Sequence, residues 1–360
     1  MLEKGKISCS QTILLLINLV TATATMFIPS VSTAICGRDA WLASLIATLP
    51  GIYQVIILCT LGKIYPGQTI IQYLQTVLSA WPGKILGLCY IFFFLHTNAF
   101  IIREFSELIT NTIMPHTPNV VFISIMVLIC AYAIGSGLEV LSRVIEITIF
   151  IIIIIVIILV ALTAQAADLN NLLPLLDNNP MPILNASLVH FAWRGEVILL
   201  AMFLPFLAKP NNAMRCGIVA QLLVGILISV DTVAMIAVLG SDQAATLTFS
   251  TYSLIRDYSI GRADAFIIII WMVSLFGKIA LFYYVTVLGT AQLFNLKSYR
   301  IIVLPLGVLM AAFSITVAEN NVQLVEYMSK TFPPFAYVFE YIIPTIIFII
   351  ARVTKARKSP

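Results

Sequence analysis

Long apolar runs alternate along this chain with short segments rich in charge, proline and glycine. Ending each run at those clusters gives ten segments, near residues 11–34, 41–62, 84–113, 119–138, 143–166, 182–207, 213–239, 263–293, 299–318 and 334–352. A helix needs about 20 mostly apolar residues to cross the hydrocarbon core of a bilayer. The pattern therefore predicts an all-α polytopic membrane protein with ten transmembrane helices in a single domain over residues 1–360. The stretch from Pro66 to Ser79 is too polar to cross and reads as a short helix lying along the membrane surface.

Composition agrees. Of 360 residues, 61% are hydrophobic and only 10% charged, whereas a soluble protein carries about 25% charge to solvate its surface. A water-soluble enzyme, a nucleic-acid binder and a disordered chain are excluded. The six cysteines, Cys9, Cys36, Cys59, Cys89, Cys130 and Cys216, show no CxxC pair and lie mostly in apolar runs, so all are read as small buried hydrophobes.

Charge then sets orientation, because Lys and Arg accumulate in cytoplasmic loops. With ten spans and an internal N-terminus, 13 basic residues fall inside: Lys4, Lys6, Lys63, Lys84, Arg143, Lys209, Arg215, Lys297, Arg300, Arg352, Lys355, Arg357 and Lys358. Arg38, Arg256, Arg262 and Lys330 fall outside, and Arg103, Arg194 and Lys278 lie within spans; 13, 4 and 3 account for all 20. Both termini are expected in the cytoplasm. A competing reading takes Lys4, Lys6 and Ala22-Thr23-Ala24 as a cleaved signal peptide. The correspondence between spans 1 and 6 argues against it.

Span 1 has helix-poor Thr21, Thr23 and Thr25 at its middle and Pro29 soon after. Proline lacks an amide hydrogen and clashes with the carbonyl four residues earlier, so regular pairing near Thr25 is expected to fail. Span 6 carries His190, Trp193, Arg194, Gly195 and Glu196 at its middle. An ionised residue at that depth costs about 2.5–3.5 kcal/mol on insertion scales, so Arg194 and Glu196 should face protein or water. The two spans open successive blocks of five helices. The pattern suits a 5+5 inverted repeat, about 8–167 and 181–352, with helices 1 and 6 discontinuous. Backbone groups freed at such breaks are tolerated only where they line a cavity or meet a ligand, and together they suit a zwitterion. The plainer alternative is that Pro29 and Gly195 merely kink packed helices.

The chain also carries a resemblance. The order Arg103-Glu104-Phe105-Ser106-Glu107, Pro115-His116-Thr117-Pro118, Gly137-Leu138-Glu139 with Arg143 and Glu146, Asn171-Leu172-Leu173-Pro174 and Gly195-Glu196 resembles the spore germination permease family, the B subunits of bacterial germinant receptors. Arg262-Ala263-Asp264 before Trp271, and Glu319-Asn320-Asn321, continue it. The family lies within the amino acid–polyamine–organocation superfamily. The resemblance covers essentially the whole chain and rests on order and spacing together. It implies a LeuT-like fold and a multi-pass protein of the spore inner membrane. It further implies a subunit that binds a small nutrient, an amino acid before other classes, in a midplane cavity and triggers germination with an A-type subunit and a lipoprotein C-type subunit. A proton- or cation-coupled amino acid permease is the alternative, and a scaffold with no ligand of its own is a third reading. Where the family has a glycine-rich turn in span 1, this sequence has Ala22 and Ala24 beside threonines. Alanine favours helix over glycine by about 1 kcal/mol, which opposes unwinding there.

The candidate ligand-binding residues are Ala22, Ala24 and Thr25 in span 1, Thr97 in span 3, Phe191, Trp193, Gly195 and Glu196 in span 6, and Lys278 and Phe282 in span 8. Glu196 could hold a proton or orient the break, or else pair with Arg194. Trp193 could wall a pocket or simply pack. The Lys278 ammonium needs carbonyls, a carboxylate or water, with Glu196 or Asp231 as possible partners. By the resemblance, span 8 runs beside the span 1 break, where the ammonium would replace a bound cation or meet an acidic ligand. Phe282 is one turn further on the same face and reads as a lid. His96 shares a face with Arg103, and Arg103 is spaced to pair with Glu107. No nucleophile with a neighbouring base, metal-ligand run or phosphate loop occurs, so no enzyme, cofactor or metal is expected.

Overall fold

The computed structural model describes residues 2–3, 5–176, 179–247, 249, 252–254, 256 and 263–356. Lys4, Arg262, Arg357 and Lys358 from the charge tally lie outside the described residues. Helix covers each of the ten predicted segments: α1 Cys9–Cys36, α2 Ala40–Ile64, α4 Ala80–Thr112, α5 Asn119–Gly135, α6 Leu138–Thr163, α7 Met181–Gly195, α8 Ala213–Leu239, α9 Ala263–Leu293, α10 Val303–Thr316, and a final segmented span. The surface helix is α3, Ile70–Leu78, closed by a capping box in which Thr69 and Gln72 satisfy each other's end of the first turn. The final span consists of α11 Asn321–Glu326, α12 Phe332–Tyr337 and α13 Ile343–Ala356, joined by π-helical turns at Tyr327–Thr331 and Val338–Ile342.

Among the described residues, seven helical stretches are long and apolar enough to cross a membrane; the first, Cys9–Ile64, contains both α1 and α2. The two are separated at Gly37, whose φ of 62° is in the left-handed region that a residue with a Cβ rarely adopts. Outward faces are apolar. Trp81 at 80% exposure, Leu128 at 60% and Tyr132 at 82% would be costly in water and are natural against lipid.

The packing is reciprocal between the two blocks of five. Helix α1 packs on α8 while α2 packs on α7, α4 packs on α9, and α5 packs on α10. Likewise α6 rests on α1 and α9, and α12 rests on α7. Such exchange buries the opening helices of both blocks at the centre, and that is where the polar side chains gather. Glycines permit the closest approaches. A Cβ at Gly225 would run into Thr48, and one at Gly51 would run into Gln221, which brings the backbones of α2 and α8 together.

Three expectations change. Helix α1 is continuous through Thr21–Thr25 and past Pro29. The Thr21 and Thr25 hydroxyls donate to the carbonyls of Ile17 and Thr21 one turn back, at 2.8 and 2.9 Å, and alanines occupy 22 and 24. Those threonines therefore sit inside a helix with their hydroxyls satisfied, and Pro29 is accommodated without a break. Span 6 does depart from α-helix at the expected place, but by tightening: α7 ends at Gly195 and a 3₁₀ turn runs over Glu196–Leu199 before a short α-helical piece, Leu200–Phe203. Finally, Cys9 and Cys216 form a disulfide, with Cα atoms 5.8 Å apart, correcting the reading of all six cysteines as unpaired. They are 207 residues apart, and only the packing of α1 on α8 brings their first turns together.

The same end of the bundle receives the N-terminal segment. Ile7 pairs in parallel with Leu207, its amide donating to the Phe206 carbonyl and its carbonyl accepting from Ala208, both at 2.9 Å. The Glu3 carboxylate accepts from the Gly5 and Leu138 amides and the Tyr284 hydroxyl, at 2.8, 3.2 and 3.0 Å.

Candidate functional site

Spans 1, 3, 6 and 8 meet in the middle of the bundle, joined by the final span. Lys278 on α9 is buried and donates to Glu196 Oε1 at 2.7 Å and to Thr23 Oγ1 at 2.6 Å. The Trp193 indole also donates to Thr23 Oγ1, at 3.0 Å. One threonine hydroxyl on α1 thus receives an ammonium from α9 and an indole from α7, and the carboxylate that neutralises the ammonium begins the 3₁₀ turn. These bonds tie three spans together where no solvent reaches.

Beside this knot is a cavity lined by Thr23, Thr97, Phe100, Ile101, Glu196, Lys278, Met328 and Phe332. It has room for about one water molecule. Aromatic side chains close it. Trp193 meets Phe332 edge-on at 5.6 Å between centroids, and Phe100 stacks on Tyr327 at 3.8 Å. Met328 belongs to the first π-helical turn of the final span, and such turns re-aim side chains that a regular helix would direct elsewhere.

Three of the predicted ligand-binding residues, Thr97, Glu196 and Lys278, line the cavity. Trp193 and Gly195 stand one layer behind it. Ala22 and Ala24 are buried in α1, and Thr25 is half-buried with its hydroxyl returned to its own helix. Phe191 is half-buried, its carbonyl accepting from the Tyr341 hydroxyl at 2.9 Å. Phe282 packs edge-on against Phe94 at 6.5 Å and does not line the cavity.

The ion pairing is also specific. Glu196 pairs with Lys278, and Arg194 instead donates through Nη2 to the Ser44 hydroxyl and carbonyl, at 2.9 and 3.3 Å. Arg103 pairs with Glu107 at 2.8 Å, as its spacing predicts, and its guanidinium also reaches the Ile315 and Glu319 carbonyls. His96 sits among the rings of Phe92, Phe100, Phe313, Tyr327 and Phe335.

Two carboxyls outside the predicted ligand-binding set lie near the site, and of these the sequence already marked Glu340 as a charge within the bilayer. Glu104 on α4 is fully buried and lies within electrostatic reach of Lys278 and Glu196. It continues the cavity-lining stripe of Thr97, Phe100 and Ile101 at seven residues from the first, a spacing legible in the sequence. Glu340, in the second π-helical turn, lies against Gly195, where a Cβ would run into its carboxylate. That glycine therefore gives span 6 close contact with the final span. Among the described residues, neither carboxyl has a hydrogen-bond partner.

Comparisons with known proteins agree with this architecture. The fold is shared with the crystal structure of MhsT in complex with L-phenylalanine, at a TM-score of 0.68 and 13% identity, covering 97% of this chain and 99% of that one. The LeuT-like helical-bundle expectation therefore stands. Spore germination protein KB of Bacillus subtilis (strain 168) is 25% identical over 367 residues, 99% of this chain and 98% of its own. Spore germination protein YndE of the same strain is 25% identical over 303 residues, 81% of this chain and 82% of its own. Spore germination protein A2 is 23% identical over 358 residues, 97% and 96% of the two chains. The family profile described as "Spore germination protein", Spore_permease, matches residues 6–322, so this multi-pass membrane chain belongs to the spore germination permease family.

Proposed function

We propose that this chain is the transporter-like B subunit of a spore germinant receptor, and that it senses a small nutrient, an amino acid before other classes, in the cavity between spans 1, 3, 6, 8 and 10. The observation that carries the reading is the buried Thr23–Lys278–Glu196 knot beside a small closed cavity, in a chain of the germination family. A nutrient larger than one water enters only if the surrounding helices move apart. Its binding energy is then available to shift the bundle between closed and open arrangements. An A-type subunit and a lipoprotein C-type subunit would read that shift in the spore inner membrane, with both termini of this chain in the cytoplasm.

The residues proposed to sense the nutrient are Thr97, Glu196 and Lys278 at the cavity, with Ala22, Ala24, Thr25, Phe191, Trp193, Gly195 and Phe282, which lie outside its present lining, meeting the nutrient once the helices move apart. The test is direct binding of candidate nutrients to the purified chain, paired with vesicle uptake. Binding without translocation, abolished by Trp193→Ala or by a bulky residue at Ala24, supports the sensor. Gradient-driven uptake of labelled amino acid makes it a permease instead. If bulky residues at Ala24, Thr97 and Trp193 leave the germinant response and complex assembly unchanged, the cavity is not the sensing site.

A further inference from the structure

The cavity at the centre of the bundle is lined by more unpartnered acceptors than donors. Glu196 gives one oxygen to Lys278, and its Oε2 has no partner. Both oxygens of Glu104 and both of Glu340 lack partners, as does the Thr97 hydroxyl, and all of these atoms are buried. Against three carboxyls, Lys278 offers one ammonium, already committed to Glu196 and Thr23. Arg194 directs Nη2 to Ser44, and its Nε and Nη1, also buried without partners, belong to a side chain that does not line the cavity. Two of the unpartnered groups, Thr97 Oγ1 and Glu196 Oε2, belong to side chains that line the cavity, and Glu104 is the next residue on the Thr97 stripe.

Buried acceptors without donors are costly, and buried carboxylates without cations more so. A buried carboxyl can meet that cost by keeping its proton or by meeting a cationic donor, and a ligand that completes all of these groups brings several N–H donors and a positive charge in a volume near that of one water. A primary ammonium meets all three requirements, with three donors for three acceptor side chains. The apolar part of such a molecule would extend towards Phe100, Met328 and Phe332, and the rings of Phe100 and Phe332 also favour a cation.

We propose that Thr97, Glu196 and Glu104 form an ammonium-binding subsite, so that the amine, rather than the carboxylate, is the obligatory group of the ligand. This deepens the receptor reading and rests on it for the identity of the cavity. It assigns Glu104, on span 3, a recognition role within the amino-acid class.

The experiment uses the full chain in nanodiscs and follows thermal unfolding with methylammonium chloride as the probe. Sodium chloride and tetramethylammonium chloride at equal ionic strength serve as controls; the second is a cation without N–H donors. Saturable stabilisation by methylammonium alone is expected. Glu104→Gln and Thr97→Val should each weaken it about tenfold or more, the scale of losing a charge-assisted hydrogen bond. Absence of saturable stabilisation in the unsubstituted chain overturns the proposal, and so does equal stabilisation by tetramethylammonium. Undiminished methylammonium affinity in both variants overturns it as well. Should one variant fail to fold, the other variant and the unsubstituted chain decide. A nutrient that binds without competition from methylammonium overturns the subsite and leaves the receptor reading intact. Methylammonium binding in a chain that binds no nutrient does the reverse.

Discussion

Removing the Lys278 ammonium should be more damaging than removing its carboxylate partner. Breaking a buried ion pair by deleting one member costs about 3–5 kcal/mol, because the other is left charged without compensation. The two deletions leave unequal remainders. In Lys278→Met, Glu196 loses its partner while Glu104 and Glu340, both within electrostatic reach of that lysine, lose its attraction. Thr23 also loses a donor. In Glu196→Gln, Lys278 keeps Thr23 and still faces two carboxyls. We therefore expect Lys278→Met near the top of that range, about 5 kcal/mol, and Glu196→Gln near its foot, about 3 kcal/mol. The double variant should cost clearly less than the sum, since each substitution removes part of what the other leaves exposed. Equilibrium unfolding in mixed micelles, run as a double-mutant cycle, measures all three values. Single costs below about 1 kcal/mol that simply add would refute a buried, coupled pair at this site.

Other substitutions probe the surroundings. Thr23→Val removes the acceptor shared by Lys278 and Trp193 and should cost about 2–3 kcal/mol, more than Trp193→Phe, which loses one neutral donor worth about 1 kcal/mol; the same unfolding assay ranks them. Gly195→Ala should destabilise by about 1–3 kcal/mol through overpacking on Glu340, and pairing it with Glu340→Ala should recover most of the loss, read as a shift in thermal midpoint. The Cys9–Cys216 bridge predicts four titratable thiols in the denatured, unreduced chain and six after reduction. Cys9→Ser with Cys216→Ser should lower stability by about 2–4 kcal/mol, and an unreduced chain with six free thiols would show that the bridge does not form.

The helices were legible because each rests on a one-dimensional property. Apolar runs long enough for a bilayer mark all ten spans, nine of them within about five residues of the expected limits, while the last begins at Asn321 and not near 334; polarity marks the surface helix. The departure at Gly195 was legible for a similar reason: charge and glycine together in mid-span conflict with a regular, lipid-facing helix. The continuity of α1 was not. Proline and threonine are weak helix formers in isolation, yet packed α1 satisfies its threonine hydroxyls locally and passes Pro29 unbroken.

What tertiary structure alone decided is who meets whom. Sequence identified Glu196, Asp231 and Arg194 as potential companions in the membrane, and an ammonium at position 278 could have served either acid. Packing of the two blocks placed Glu196 against it, sent Arg194 to Ser44, and brought Glu340 from the far end of the chain against Gly195. The Cys9–Cys216 bridge has the same origin, since a separation of 207 residues leaves no local trace of proximity. Hydrophobic length acts residue by residue along the chain and can be read there. Charge pairing acts at distances of a few ångströms, and those distances exist only once the helices have packed.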